Sequence, residues 1–246
     1  MNQNAYSFLL TTIAGLSTLI GFLFLWIKSK EKKNLISICL SFAAGVMISI
    51  SLMELFPEAI LLLHQKYDFT ISLLLSLIFA NIGVILSKWI NKYIKIDNKL
   101  YHLGIVSMIV IALHNLPEGI ATYLTSEKNI HLGFSLAFSI ALHNIPEGVT
   151  IAIPIYYATK NKSKAFLYTL IAGISEPIGA ILAHFLLRPW INNIFMGNLY
   201  SFIAGMMIYI SITELLPEAL SYNQHKKTIF SFIVGFLFMI FIKMIK

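Results

Sequence analysis

Cysteine is almost missing from this chain: Cys39 is the only one in 246 residues. A single thiol closes no intrachain disulfide, and it excludes multi-cysteine metal sites such as zinc ribbons and iron–sulfur clusters. Charge is scarce too. Asp, Glu, Lys and Arg make up 12% of the residues, against about 25% in soluble domains, while apolar residues reach 58% against about 45 to 50%. That balance argues against a water-soluble globule. Long polar stretches are absent, which leaves no room for a soluble domain. The formal net charge of +7 does not mark a nucleic-acid surface in such a chain, and no nucleic-acid partner is expected. The question it raises is which side of a bilayer holds the lysines.

What is there is a succession of apolar runs. A hydrocarbon core of about 30 Å needs about 20 mostly apolar residues per helix. Eight such runs divide the chain, at roughly 5–27, 35–60, 70–91, 102–125, 132–157, 165–187, 197–219 and 228–245. The connections are short and polar, such as KSKEKKN from Lys28 and TKNKSK from Thr159. The expected fold is all-α and integral to the membrane, one eight-span domain over residues 1–246 in contact with the lipid bilayer. The first run has neither a basic leader nor a small-residue cleavage site, so it reads as a retained helix. Lys and Arg divide unevenly between the faces. Thirteen fall on one face, in the groups Lys28 to Lys33, Lys88 to Lys99, Lys160 to Lys164, and Lys226 with Lys227. Five fall on the other: Lys66, Lys128, Arg188, Lys243 and Lys246. The positive-inside tendency makes the richer face cytoplasmic, so both termini are expected outside a cell (cytoplasmic) membrane.

The chain also repeats itself. Ala44 to Ala59, AGVMISISLMELFPEA, matches Ala204 to Ala219, AGMMIYISITELLPEA, at eleven of sixteen positions with an offset of 160. The same offset is expected to carry span 1 onto span 6 and span 3 onto span 8. Spans 2 and 7 are five crossings apart, so the matched segments run in opposite directions and the repeat is inverted. A second pair, IALHNLPEG from Ile111 and IALHNIPEG from Ile140, lies in the adjacent spans 4 and 5. Inverted repeats with interrupted helices point to a secondary transporter with its binding site at the repeat interface. Pores and enzymes can share this symmetry.

Seven of the eleven acids lie inside spans: Glu54, Glu58, Glu118, Glu147, Glu176, Glu214 and Glu218. An ionised acid at a helix centre costs about 2.5 to 3.5 kcal/mol on the insertion scale. No Lys or Arg sits at that depth to offset it, which leaves protons, water or bound cations. The HNxPEG motif favours cations. His114 and Glu118 are i and i+4, so they emerge on one helix face with Asn115 beside them. His143, Asn144 and Glu147 repeat this in the next span. Pro117 and Pro146 each remove a backbone donor, so a kinked or partly unwound turn is expected there. Glu176, followed by Pro177, would add a third wall from span 6. Imidazole, amide and carboxylate donors without thiolate suit Zn²⁺, Fe²⁺, Mn²⁺ or Co²⁺ rather than copper(I). These ions are expected as transported substrate, with no resident cofactor. The oxygens outnumber the needs of one tetrahedral ion, so two ions bridged by Glu118 and Glu147 fit the set. Glu54 with Glu58, and Glu214 with Glu218, come late in oppositely directed spans. They are expected to concentrate cations at the two mouths, although solvated helix ends would carry the same acids. For His184 the readings are packing or an access role. Met47, Met53, Met206 and Met207 read as core.

These residues carry a resemblance. Eight spans, twin HNxPEG motifs in spans 4 and 5, and SEPIGA from Ser175 to Ala180 closely resemble the Zrt/Irt-like protein (ZIP) family over essentially the whole chain. The resemblance implies uptake of divalent transition metals into the cytoplasm through a binuclear site between spans 4, 5 and 6. It implies one position held by His114, Glu118, His143 and Glu147, and another by Asn115, Glu118, Asn144, Glu147 and Glu176. It also implies spans 1, 4, 5 and 6 sliding as a bundle against spans 2, 3, 7 and 8. The His-rich cytoplasmic loop of many members is absent here: only about Asn91 to Tyr101 is available, with no His before the span. A metalloenzyme is the rival class. A zincin protease needs HExxH and a di-iron bundle needs ExxH, and HNxPE has the wrong order for both, so no enzyme is expected. A channel with the same ligands stays open beside a carrier, and a homodimer is an open assembly.

Overall fold

In the computed structural model, residues 2–27, 31–187 and 189–245 are described. Four lysines and arginines of the orientation count, Lys28, Lys30, Arg188 and Lys246, lie outside the described residues. No strand occurs among those described. Eight helices are long and apolar enough to cross a bilayer: α1 (Gln3–Trp26), α2 (Lys32–His64), α3 (Phe69–Tyr93), α4 (Lys99–Lys128), α5 (Ile130–Thr159), α6 (Lys162–Leu187), α7 (Asn193–Ser221) and α8 (His225–Met244).

Their ends follow from the polar connections. Asp68, Asn98, Asn129, Asn161 and Asn192 each accept backbone N–H bonds of 2.9 to 3.1 Å in the first turn of α3 to α7. A side-chain oxygen there satisfies donors that a helix leaves unpaired. Lys160 closes α5 in the left-handed region at φ 56°. These caps lie beyond the apolar runs, which is why α4 and α5 extend past 102–125 and 132–157.

The helices pack as two groups, α1 with α4, α5 and α6, and α2 with α3, α7 and α8; between the groups α2 touches α5 and α4 touches α7. Val46, Met47 and Ile50 of the α2 core have buried counterparts in α7 at Met206, Met207 and Ile210. Helix ends are exchanged between these two. Ser37 Oγ, near the start of α2, donates to Ala219 O at the end of α7 (2.9 Å), and Gly197, near the start of α7, abuts Ala59 O near the end of α2. The two helices are therefore antiparallel. A Cβ at Gly45 would collide with Phe232 O of α8, and one at Gly205 with Ala80 O of α3. Such close approach is how helices gain contact in lipid, where apolar faces have no preference for one another.

Two sequence expectations need correction. The matched contacts of Gly45 with Phe232 O and Gly205 with Ala80 O make Ala80 of α3 the counterpart of Phe232 of α8, an offset of 152 rather than 160, because the chain from Pro57 to Ala80 is eight residues longer than that from Pro217 to Phe232. Nor do Pro117 and Pro146 unwind their turns, since α4 and α5 are α-helical throughout. Interruptions occur elsewhere. Single wide π-type turns sit at Ser51–Leu55 in α2, at Ser211–Leu215 in α7 and at Ala183–Leu187 in α6. The first two precede Pro57 and Pro217, so the missing proline donors are taken up by a wider turn.

Candidate metal centre

Because α4 and α5 stay regular, HNxPEG projects its side chains as the i, i+4 spacing requires. His114, Asn115, Glu118, His143, Asn144, Glu147 and Glu176 are all buried. Glu118 Oε1 is the hub. It lies 3.0 Å from His143 Nε2 and 3.2 Å from His114 Nε2, and His114 Nε2 is 3.3 Å from Glu147 Oε1. One ligand atom from each of His114, Glu118 and His143 falls within 4.8 Å of the others, close enough to share an ion.

The amides lock the neighbouring helices to this pair. Asn115 Nδ2 donates to Ala172 O of α6 and Asn144 Nδ2 donates to Ala14 O of α1, each at 2.9 Å. Asn144 Nδ2 also donates to Glu176 Oε1, which brings the α6 carboxylate to the cluster. Close packing assists: a Cβ at Gly119 would collide with Glu176 O, and one at Gly148 with Thr18 O.

The cluster is left with an excess of unused capacity. His114 Nδ1, His143 Nδ1, Asn115 Oδ1, Asn144 Oδ1, Glu118 Oε2, Glu147 Oε2 and Glu176 Oε2 are buried without a hydrogen-bond partner. Orphaned polar atoms are normally few and each costs about 1 to 3 kcal/mol. Imidazole, amide and carboxylate groups with spare capacity at one point are the donor set that a divalent transition-metal ion would satisfy.

A cavity of about 320 Å³ reaches the cluster, lined by Glu118 and His143 at its floor and by Glu54, Glu58, Thr125 and Tyr200 above. It thus opens past the end of α2, toward the loops that carry Lys66 and Lys128. Glu54 and Glu58 stand where the sequence places them, at a mouth. Tyr200 and Thr125 were not singled out by the sequence, and nothing in their local spacing marks them. A second cavity, of about 640 Å³, lies on the opposite side between Asp97, His102, Glu214 and Glu218, and no cluster residue lines it. There Asn91 Nδ2 donates to Glu214 Oε1 (2.6 Å), and Tyr222 OH donates to Glu218 Oε1 (2.9 Å). Partial burial and the Glu218 charge push the Tyr222 phenol above its usual range. His184 packs rather than lining the first cavity, its Nδ1 2.7 Å from Tyr123 OH and its ring edge-on to Phe8. Met47, Met206 and Met207 are core, whereas Met53 is exposed.

Eight membrane helices around a buried imidazole and carboxylate cluster define a multi-pass membrane protein built to handle cations. The profile of the ZIP zinc transporter family matches residues 92–243. The chain is similar to the zinc transporter ZupT of Streptococcus mutans, 40% identical over 97% of each chain. It is 39% identical to ZupT of Clostridium perfringens, over 97% of this chain and 95% of that one. For ZupT of Campylobacter jejuni the identity is 37%, over 94% and 93%. The chain belongs to the ZIP family, whose named members are transporters rather than enzymes.

Proposed function

We propose that this protein carries zinc, with Fe²⁺, Mn²⁺ and Co²⁺ as further substrates, across the cell membrane into the cytoplasm. One eight-span domain does the work, with both termini outside. The observation that carries the reading is the hub at Glu118, shared by two imidazoles amid a set of buried donors and acceptors that lack partners. Membership of the ZIP family and the named activity of the relatives support it.

The substrate rests in a binuclear site. His114, Glu118, His143 and Glu147 hold one ion, and Asn115, Glu118, Asn144, Glu147 and Glu176 hold the other. Two carboxylates shared between the two positions would offset the repulsion between a pair of cations. Ions arrive through the cavity past Glu58 and Glu54, which raise the local cation concentration, and leave past Glu214 and Glu218. Release then takes a movement of the group α1, α4, α5 and α6 against α2, α3, α7 and α8, because Glu118 and His143 line the first cavity and no cluster residue lines the second. Alternating access of this kind is the usual use of inverted repeats. The reciprocal contacts Ser37 with Ala219 and Gly197 with Ala59 support such a repeat in α2 and α7.

The test is uptake of radiolabelled zinc into vesicles by wild type and Glu118→Ala, with iron, manganese and magnesium as competitors. The reading requires saturable zinc uptake that the variant lacks and that iron and manganese reduce more than magnesium does. Equal uptake by both proteins would overturn it.

A further inference from the structure

The metal cluster is lopsided, and the fold says where the difference lies. Three independent contacts around it occur in matched pairs. Asn115 Nδ2 reaches Ala172 O as Asn144 Nδ2 reaches Ala14 O, both at 2.9 Å. A Cβ at Gly119 meets Glu176 O as one at Gly148 meets Thr18 O, and a Cβ at Gly179 meets Leu116 O as one at Gly21 meets Ile145 O. Every pair is generated by one exchange: α4 with α5 at an offset of 29, and α6 with α1 at an offset of 158. The register of α1 on α6 is thus two residues from the 160 that α2 and α7 suggest. With that shift the sequences align as well: AGLSTLIG from Ala14 lies on AGISEPIG from Ala172. The residue standing in the place of Glu176 is Thr18.

Its side chain points the same way. A Cβ at Gly15 would lie 2.9 Å from Glu176 Cβ, and one at Gly173 would lie 3.5 Å from Thr18 Cβ. Thr18 is fully buried, and its hydroxyl donates only to Gly15 O of its own helix, at 2.7 Å. The same exchange puts a neutral hydroxyl on the Asn115 side where a carboxylate meets Asn144, and the Oδ1 atoms of both amides are without a partner.

We propose that Thr18 is a specificity-determining residue of the transport site, keeping one of its two amide corners uncharged. The inference rests on the binuclear reading given above. Glu118, Glu147 and Glu176 supply three negative charges, one fewer than two divalent ions carry. A carboxylate at position 18 would complete the balance and hold both ions too firmly to release. A transporter needs binding strong enough to load and weak enough to let go, and a hydroxyl on α1 supplies the weaker corner.

The experiment measures zinc per chain and zinc affinity of the purified full-length protein in detergent, with uptake in vesicles. Thr18→Glu should bind zinc at least about tenfold more tightly, equivalent to about 1.4 kcal/mol, and transport it more slowly at saturation. Glu176→Thr should lose at least about 100-fold in affinity, since loss of a ligand costs no less than the roughly 10- to 100-fold that its supporting partners cost. The exchange variant Thr18→Glu/Glu176→Thr should recover most of that loss. Recovery by a structural accident is separated by Thr18→Gln/Glu176→Thr, which should not recover. If the exchange variant binds no better than Glu176→Thr, the assignment is wrong. Because a glutamate is larger than the buried threonine it replaces, the near-isosteric Thr18→Cys in a Cys39→Ala background gives a second reading independent of how the fold accepts glutamate. Cadmium should then produce a thiolate-to-metal ultraviolet band, and its absence from the folded protein overturns the proposal. Zinc per chain in the wild type judges the binuclear reading separately: a value of one would refute two positions, while the exchange and cadmium results would still decide Thr18.

Discussion

The two helix groups divide their labour by polarity. In the group of α1, α4, α5 and α6, the centre is occupied by His114, Asn115, Glu118, His143, Asn144, Glu147 and Glu176, all buried and tied to one another or to neighbouring backbone. In the group of α2, α3, α7 and α8, the centre is Met47, Ile50, Met207 and Ile210, and the acids stand at the ends of α2 and α7 beside wide turns. One group is held rigid by hydrogen bonds that cost dearly to break in low dielectric. The other has an apolar centre, with polar contacts such as Ser37 to Ala219 O and Asn91 to Glu214 toward its ends. In the carrier reading proposed above, an apolar boundary near the centre leaves few hydrogen bonds to break when one group moves against the other.

That contrast can be broken most sharply at its polar end. Glu118→Ala removes the oxygen that both imidazoles share, and zinc uptake should fall by at least about 100-fold. A residual rate within a few-fold of wild type would place the substrate elsewhere. The two amides come next. Asn144→Ala loses a bond to a carboxylate, of about 1.5 to 3 kcal/mol, whereas Asn115→Ala loses a neutral one of about 1 kcal/mol. Zinc affinity by titration should accordingly drop about ten- to 100-fold for the first and about fivefold for the second, and the reverse order would undo the asymmetry. Gly148→Ala tests packing rather than ligation. Its methyl group would strike Thr18 O, which should destabilise the protein by about 1 to 3 kcal/mol. A thermal melt of the detergent-solubilised protein at the wild-type temperature would show that α1 and α5 are not so closely held. The smallest effect belongs to the apolar group. Glu58→Ala should raise the zinc concentration for half-maximal uptake about threefold, with the maximal rate unchanged, since it removes only local cation enrichment.

Much of this was legible in the residues. Span lengths follow from bilayer thickness, and eight helices appear where eight apolar runs stand. Twin HNxPEG motifs are readable because i, i+4 spacing fixes a shared helix face before any packing is known, and the structure brings all seven candidate residues into one buried cluster. Three things were read less well. Pro117 and Pro146 looked like helix breakers, yet their turns persist, while the wide turns fall before Pro57 and Pro217, where the sequence offers no sign to separate the two outcomes. The helix ends were drawn short because capping asparagines are polar and do not register as part of an apolar run. The register between α1 and α6 was set from the stronger match in α2 and α7, which hid Thr18.

The amino-acid sequence by itself determined the medium, the number of crossings, and which polar residues stand inside the spans and need compensation there. Each of these depends on local composition or on spacing within one helix. Only the tertiary structure decided which helices share a group, which cavity meets Glu118, and which α1 residue stands opposite Glu176. In lipid all apolar faces are equivalent to the solvent, so lateral partners are chosen by the fit of small residues against backbone, and that fit exists only once two helices meet.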